Sequence, residues 1–321
     1  MKAVRVHAWG GPDTLRYEDA PRPEAGTGEL LIAVRGAGVN PIDCKTRRGE
    51  GVAGGLIDPF PVILGWDISG VVEGVGPGVN GFTRGDAGFG MVRFPAIAAG
   101  YAECVAASVS DVAMKPATID HLAAAGVPLV VLTAWQALIE TAGLTAGQRV
   151  LIHRAAGGVG HIAVQLARWR GAHVIGTASA ANAAYVGDLG VDEVIDYRTT
   201  RFDDVVQGVD VVFDTVGGET RARSWGVLKP GGHLVSILGQ PAADEASTHG
   251  VQASGVRVHP DAGQLTEIAR LIDVGHLSVI ADTVLPLDQA AQAHELSEAG
   301  HTRGKIVLQP APSVAAASSS Q

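Results

Sequence analysis

A glycine-rich turn is the part of this sequence whose residue types and spacing point most directly to chemistry. Residues 149–153, RVLIH, form a short run rich in branched apolar side chains, and the turn Ala155-Ala156-Gly157-Gly158-Val159-Gly160 follows closely. Residues 162–167 then have helical spacing, and residues 173–177 form a second strand-like run. The pattern predicts a strand, a glycine turn, a helix and a second strand.

Such a unit is typical of a dinucleotide-binding site. The unsatisfied N–H groups at a helix N-terminus and the positive end of the helix dipole attract a pyrophosphate. Gly157, Gly158 and Gly160 allow the phosphates to approach where a Cβ would collide. Glycine turns also begin helices for packing reasons alone, so a purely structural turn is the alternative.

The end of the second strand predicts which dinucleotide binds. NAD-binding units carry an Asp or Glu about twenty residues beyond the glycines, where it binds the ribose hydroxyls and repels a 2′-phosphate. Residues 173–186 contain no carboxylate. Ser179 and Asn182 can donate hydrogen bonds to a phosphate instead, so we expect NADPH to be the cofactor. The alternative is that both residues only cap the following helix.

The elements around the turn indicate an α/β protein with two domains. Residues 1–122 consist of short strand-like runs between Gly and Pro turns, which predicts an irregular β-barrel. Residues 123–261 alternate between strand-like and helical stretches, which predicts a doubly wound parallel sheet with residues 256–259 as its sixth strand. Residues 262–309 return to the first domain. The tail, residues 310–321, is expected to be flexible.

Composition excludes several functional classes. A net charge of −9 argues against a nucleic-acid or anionic-membrane surface. Cys44 and Cys104 are the only cysteines, so no disulfide framework is implied and a reducing cytoplasm is the expected location. No apolar run reaches the roughly 18 residues of a membrane span. We therefore expect a soluble, cytoplasmic protein.

Six short motifs, in order along the chain, resemble those of a known family. They are GVNPID at 38–43, GWDISG at 65–70, GYAE at 100–103, LTAWQAL at 132–138, the glycine turn, and RGKIVL at 303–308. With them the chain resembles the zinc-free branch of the medium-chain dehydrogenase/reductase superfamily that includes quinone oxidoreductases and zeta-crystallin. The resemblance implies a GroES-like β-barrel catalytic domain (residues 1–122 and 262–309) and an inserted Rossmann cofactor domain (residues 123–261). It also implies a homodimer joined by the cofactor domains.

The resemblance further implies chemistry without zinc. Zinc-binding relatives place a Cys where this chain has Asn40 and a His-Glu pair where it has Trp66 and Asp67, and residues 126–135 offer no Cys or His as a third ligand. Without zinc, we expect NADPH to deliver a hydride to an already electrophilic carbon, in a quinone or an α,β-unsaturated carbonyl. Hydrogen-bond donors near the oxygen that gains charge would lower the barrier.

Several residues acquire expected roles from the resemblance. Asn40 is placed beside the nicotinamide and the substrate as the catalytic residue, although a turn residue before Pro41 would look the same. Thr133, expected at the start of a helix, would meet the nicotinamide carboxamide or be an ordinary helix-start hydroxyl. The resemblance also assigns Val159, Tyr197, Leu238 and Lys305 to the cofactor site.

The substrate stays open at this point. Several quinone oxidoreductases carry a substrate-facing tyrosine in the loop after the Asn-Pro motif, but residues 46–61 contain none, which leaves Tyr101 or a water as the proton source. One alternative function is an enoyl-thioester reductase, whose substrate would need a basic entrance such as Lys45, Arg47 and Arg48; we expect that cluster to be a solvated face instead. The other alternative is an NADPH-binding protein without significant turnover.

Overall fold

The structure is a computed structural model that describes residues 1–56, 60–300 and 304–311. It contains two compact units. Unit 1 comprises Met1–Leu129, His259–Val274 and the described residues from Val279 onward, and unit 2 comprises Val130–Val258 and Gly275–Ser278. The sequence analysis placed the corresponding boundaries after residues 122 and 261. Most of the expected tail, from residue 312 on, lies outside the described residues.

The helices and strands follow one another along the chain in three stretches. The first contains β1 (Lys2–Val6), β2 (Leu15–Asp19), β3 (Glu29–Val39), α1 (Pro41–Arg47), β4 (Val62–Ile63), β5 (Asp67–Val75), β6 (Ala87–Met91), β7 (Cys104–Ser108), β8 (Val112–Met114) and α2 (His121–Ala125). The second contains α3 (Pro128–Trp135), β9 (Arg149–Ile152), α4 (Gly160–Trp169), β10 (His173–Ala178), α5 (Ala183–Leu189), β11 (Glu193–Asp196), α6 (Phe202–Val205), β12 (Val209–Asp214), α7 (Gly218–Ser224), β13 (Leu228–Ser236), α8 (Ala243–Thr248) and β14 (Gln252–Gly255). The third contains α9 (Ala262–Asp273), β15 (Ala281–Pro286), α10 (Ala290–Ala299) and β16 (Lys305–Gln309).

Unit 1 is built around the long strand β3. In its larger sheet the strand order is β15-β16-β3-β5-β6-β8, and β7 also pairs with β3. The antiparallel register of β16 on β3 sets Ile306 opposite Val39. This register brings the start of β16 beside the residue that follows β3, Asn40.

Unit 2 is the expected doubly wound sheet. Within its residues, all of which are described, the strand order is β11-β10-β9-β12-β13-β14 and each pairing is parallel. Val150, Leu151 and Ile152 of the central strand β9 have no solvent exposure. A continuous apolar run of this kind is what a parallel strand needs when both faces of its sheet are covered.

Some local predictions were wrong. The sixth strand is β14 (Gln252–Gly255) rather than residues 256–259, because pairing with β13 ends where the Val256 N–H donates to Ser236 O at 2.8 Å. The alternating sequence after Gly255 looked more strand-like, but among the residues that the structure describes it pairs with no strand. Helix α1 also had no counterpart in the sequence analysis, although Pro41 takes the first helical position that proline favours. Helix α10 had no counterpart in the sequence analysis.

Candidate functional site

The two middle strands of unit 2 end at the point where the order of the sheet reverses. After β9 the His153 N–H donates to Phe213 O at 3.1 Å, and after β12 the Thr215 hydroxyl donates to His153 O at 2.7 Å. In a doubly wound sheet, ligands bind outside the carboxyl ends of the strands at this reversal. The geometry therefore places a dinucleotide site at the β9 and β12 ends.

The glycine turn fits a phosphate. Helix α4 begins at Gly160, has no acidic residue in its first turn, and is not capped by a side chain at Val159. The His161 N–H is bound by Gly157 O at 2.9 Å, so the N–H groups that suit an external anion are those just before it, at residues 158–160. The glycines have different tasks: a Cβ on Gly160 would lie 2.1 Å from Arg154 O, whereas one on Gly157 would lie 3.1 Å from the Arg154 Cγ. Gly160 is needed for packing, and Gly157 lines the surface of the turn.

Ser179, Asn182 and Tyr197 come together at the end of β10. The Asn182 N–H donates to Ser179 O at 2.8 Å, and the Tyr197 N–H donates to Ala178 O at 3.3 Å. Tyr197 is 59% exposed. Ser179 and Asn182 each stand at a helix N-cap, but neither side chain makes a capping hydrogen bond. The alternative that these side chains serve only as caps is therefore not realised.

Leu238, beyond β13, is held by a network that the sequence analysis missed. Asp214 accepts hydrogen bonds from the Gly217 N–H at 2.7 Å and from Arg221 Nε at 2.6 Å. The Arg221 Nη2 donates to the Ser236 hydroxyl at 2.7 Å, which in turn accepts from the Leu238 N–H at 3.1 Å. Burial by itself would raise the pKa of Asp214, but these hydrogen bonds lower it overall. The ion pair thus joins the loop after β12 to the loop after β13.

Two polar residues of unit 2 are buried. The His153 ring lies between Ser224 Oγ, 2.9 Å from Nε2, and Thr177 Oγ1, 3.4 Å from Nδ1, and burial lowers its pKa to about 4. Thr133 is 5% exposed and lies in the interior of α3. The expectation that Thr133 starts a helix was wrong, because Pro128 begins α3 and the Leu129 N–H is bound by Asp67 Oδ1 at 2.9 Å.

Unit 1 contains a buried polar network around Asn40. The Asn40 Nδ2 donates to Asp67 Oδ2 at 2.9 Å, and Lys305 Nζ donates to Asn40 Oδ1 and, at 3.1 Å, to Val39 O. Asn40 and Asp67 have no solvent exposure and Lys305 is 4% exposed. Burial lowers the pKa of Lys305 and raises that of Asp67 to about 6. The network holds the Asn40 amide in one orientation, with one N–H of the amide still available as a donor.

A second buried carboxylate adjoins this network. Asp43 Oδ2 accepts from the Asn40 N–H at 2.7 Å, and burial, reinforced by the charge of Asp67, raises the pKa of Asp43 to about 7. Tyr101 is fully buried, and its hydroxyl lies 3.3 Å from Nε2 of His294. Burial raises the pKa of Tyr101 well above its usual range. Tyr101 is therefore a packed residue of unit 1.

The basic cluster at the end of α1 is a solvated face only in part, since Lys45 and Arg48 are exposed but Arg47 is buried. Arg47 is 1% exposed and its Nη2 donates to Glu298 at 2.6 Å, while Arg48 donates to the same carboxylate at 2.8 Å. The sequence expectation was wrong for Arg47 because helix α10, which carries Glu298, was not foreseen. The two guanidinium groups share one anionic partner within unit 1.

A metal ion does not fit the residues that stand where zinc-binding relatives carry their ligands. The ammonium group of Lys305 contacts Asn40, and a cation there disfavours a second one. The Trp66 indole is buried and donates to Ala96 O at 2.7 Å. In the part of the chain that the structure describes, no group of three or more His, Cys, Asp or Glu side chains could hold a metal. No step of the chemistry is therefore derived through zinc.

Comparisons with known proteins identify the family to which the chain belongs. Residues 26–117 match the alcohol dehydrogenase GroES-like domain family, and residues 189–308 match the zinc-binding dehydrogenase family. The chain is 33% identical to the NADPH-dependent alkenal/one oxidoreductase, chloroplastic, of Arabidopsis thaliana, over 97% of this chain and 80% of the relative. The quinone oxidoreductase of Coxiella burnetii is similar in structure, with a TM-score of 0.90, 38% identity and coverage of 96% of this chain and 99% of that one.

A further solved structure contains the cofactor. The quinone oxidoreductase of Escherichia coli complexed with NADPH has a TM-score of 0.86 and 28% identity, and covers 97% of this chain and 100% of that one. The expected GroES-like and Rossmann folds are confirmed. The chain belongs to the medium-chain dehydrogenase/reductase superfamily, in the branch of the quinone oxidoreductases.

Proposed function

We propose that the protein is an oxidoreductase that uses NADPH to reduce a quinone or an α,β-unsaturated carbonyl, without zinc. The observation that carries the proposal is the carboxyl edge of the unit 2 sheet, where an uncapped helix follows the glycine turn and no carboxylate occupies the end of β10. The names of the similar proteins, which include NADPH-dependent and quinone oxidoreductases, support the cofactor and the substrate class.

The proposed cofactor site lies mainly in the loops that follow the carboxyl ends of the unit 2 strands. Gly157, Gly158 and Val159 receive the pyrophosphate, Ser179, Asn182 and Tyr197 receive the adenosine 2′-phosphate, and Leu238 and Thr133 serve the nicotinamide end. The bound cofactor supplies the hydride. Arg221 acts as a positioning residue, since its contacts with Asp214 and Ser236 fix the loop that carries Leu238.

The proposed catalytic group is Asn40, with Lys305 as its support. Hydride addition moves charge onto the oxygen of the acceptor, and a donor held in advance stabilises that charge better than one that must reorient. The bonds to Asp67 and Lys305 hold the Asn40 amide in this way. A water supplies the proton, because the Tyr101 hydroxyl lies against His294 inside unit 1, 3.3 Å from its Nε2.

The assembly and location are part of the same proposal. We infer a cytoplasmic homodimer in which the cofactor-binding units pair. In the described residues no helix is both long and apolar enough to cross a membrane. The edge strand β14, which pairs with β13 on one side, is the surface available for this pairing.

A substrate panel tests the function. Quinones, enones and enoyl thioesters are each mixed with NADPH or NADH, and cofactor oxidation is followed by absorbance before and after extensive chelation. We expect faster turnover with NADPH, activity on quinones or enones, and no loss on chelation. A Gly157→Val variant is the control, because the added side chain blocks the phosphate approach while its Cβ meets nothing closer than the Arg154 Cγ at 3.1 Å and the Arg154 O at 3.2 Å.

Other outcomes of this panel would contradict the proposal. Binding of NADPH without turnover on any acceptor would favour the non-enzymatic alternative, and turnover confined to thioesters would favour an enoyl-thioester reductase. Activity lost on chelation and restored by zinc would overturn the zinc-free mechanism.

A further inference from the structure

Arg154, just before the glycine turn, has a backbone conformation that side chains avoid. Its φ is 54°, in the left-handed region where a Cβ is crowded and glycine is usual. Both sides of the residue are fixed, since its N–H donates to Thr177 Oγ1 at 3.0 Å and its C=O accepts from the Gly157 N–H at 2.9 Å. A glycine would meet these constraints without strain. The presence of an arginine therefore calls for a role of its side chain.

The side chain of Arg154 runs across the turn. A Cβ built on Gly157 would lie 3.1 Å from the Arg154 Cγ and 3.3 Å from its Cδ. Arg154 is exposed, whereas His153 and Ala155 on either side are buried. The charged residue thus lies at the surface of the turn that the phosphates approach.

Both places where a dinucleotide carries phosphate are near Arg154. The uncapped start of α4 follows the turn directly. Ser179 lies two residues beyond Thr177, which is roughly 7 Å further along β10. A guanidinium group binds phosphate oxygens through paired, charge-assisted hydrogen bonds. Arg154 can therefore serve the pyrophosphate or the adenosine 2′-phosphate.

We propose that Arg154 binds a phosphate group of the dinucleotide. The proposal rests on the proposed function, because it requires that unit 2 binds NADPH. Residues 171–197, which include the whole end of β10, contain no Lys or Arg that could bind a 2′-phosphate. Arg154 supplies the positive charge from the neighbouring strand β9.

Isothermal titration calorimetry with matched variants tests the proposal. Arg154→Gln removes the charge and keeps a side chain at the strained position, while Arg154→Gly removes both the charge and the strain. Ala99→Gly is the control, because Ala99 is another non-glycine residue at a positive φ, 64°, but lies in unit 1. Each protein is titrated with NADPH, NADH, adenosine 2′,5′-bisphosphate and ADP, and its melting temperature is measured.

We expect both Arg154 variants to bind NADPH about tenfold to a hundredfold more weakly, as the loss of a charge-assisted hydrogen bond predicts. Both glycine variants should melt at higher temperature than the parent, while Ala99→Gly keeps the parent affinity. Weakening confined to NADPH and the 2′,5′-bisphosphate identifies the 2′-phosphate as the partner. Equal weakening for all four nucleotides identifies the adenosine 5′-phosphate, the one phosphate that they share.

Unchanged affinities in both Arg154 variants would overturn the proposal. A purely structural arginine would give this result, with a change in melting temperature alone. A parent protein that binds neither NADPH nor NADH would instead refute the proposed function, so the two failures can be told apart.

Discussion

At the scale of single residues, the polar groups buried in this protein govern its response to pH. His153 has a pKa lowered to about 4 by burial, so it stays neutral in the folded state at a pH where a free histidine is charged. Asp43 and Asp67 are shifted the other way, to about 7 and about 6, again by burial. Between pH 4 and 6.5 the contribution of His153 to the free energy of unfolding therefore increases as the pH rises. The contributions of Asp43 and Asp67 decrease over the same range.

The contribution of His153 can be isolated with a variant. A lowered pKa gives stability that is fully present above about pH 6.5 and is lost as the pH falls towards about 4. The stability of the parent relative to His153→Gln should therefore decrease on acidification from pH 7 to 4, by a quantity on the order of 3 kcal/mol. Urea unfolding of both proteins across this range measures it, with His173→Gln as an exposed control. Parallel curves for parent and His153→Gln would contradict the assignment.

At the scale of elements, helix α7 forms hydrogen bonds with the last residues of β12 and β13, which precede two loops of the proposed cofactor site. Its residue Arg221 reaches the carboxylate of Asp214, whose side chain has no exposure. The same side chain also donates to the Ser236 hydroxyl, and this hydroxyl accepts a hydrogen bond from the Leu238 N–H. The neighbouring Arg223 points elsewhere and pairs with Glu219, whose side chain is 77% exposed.

This difference predicts unequal effects of two substitutions on the same helix. Arg221→Met leaves the buried Asp214 charge without its cation and should lower the free energy of unfolding by about 2–3 kcal/mol. It should also raise the KM for NADPH more than it lowers kcat. Arg223→Met removes a surface pair worth less than about 1 kcal/mol and serves as the control. Denaturant unfolding and steady-state kinetics decide, and equal behaviour of the two variants would refute the positioning role.

Local patterns explain which elements could be predicted. The strands of unit 2 and the glycine turn are encoded by short apolar runs and by glycine spacing, and Ser179, Asn182 and Tyr197 converge because parallel strands end at one edge. The network of Asn40, Asp67 and Lys305 depends instead on the register of β16 on β3, which pairs residues some 270 positions apart. No local pattern specifies that register, and no local pattern predicts that a lysine is buried.

At the scale of the whole chain, local sequence patterns also fail to predict which segments belong to which unit. Residues Gly275–Ser278 belong to unit 2 although the helix before them and the strand after them belong to unit 1. The side-chain amide of Gln165 explains this. Its Oε1 accepts from the Ser278 N–H at 2.8 Å, and its Nε2 donates to Ser278 O at 3.0 Å. A contact across 113 residues leaves no trace in the composition of either segment.

The edge strand β14 allows the proposed homodimer to be tested. Because the Val256 N–H faces Ser236 of β13, the alternate residues Ala253 and Gly255 face away from β13. The side chain of Gln240 already binds two of these outward groups, the Gly255 N–H at 2.8 Å and Ala253 O at 3.3 Å. The outward N–H of Ala253 is a donor with which a second copy of the chain can extend the sheet.

Ala253→Pro removes that donor without removing a hydrogen bond to β13, so we expect a folded protein with half the mass of the parent in analytical ultracentrifugation. Gln252→Ala, on the same strand, changes a residue whose N–H faces β13 and should leave the mass of the parent unaltered. Because the proposed active site uses residues within each chain, NADPH affinity should be the same in all three proteins. A parent that sediments as a monomer would contradict the homodimer, and a dimeric, folded Ala253→Pro variant would show that the chains associate through another surface.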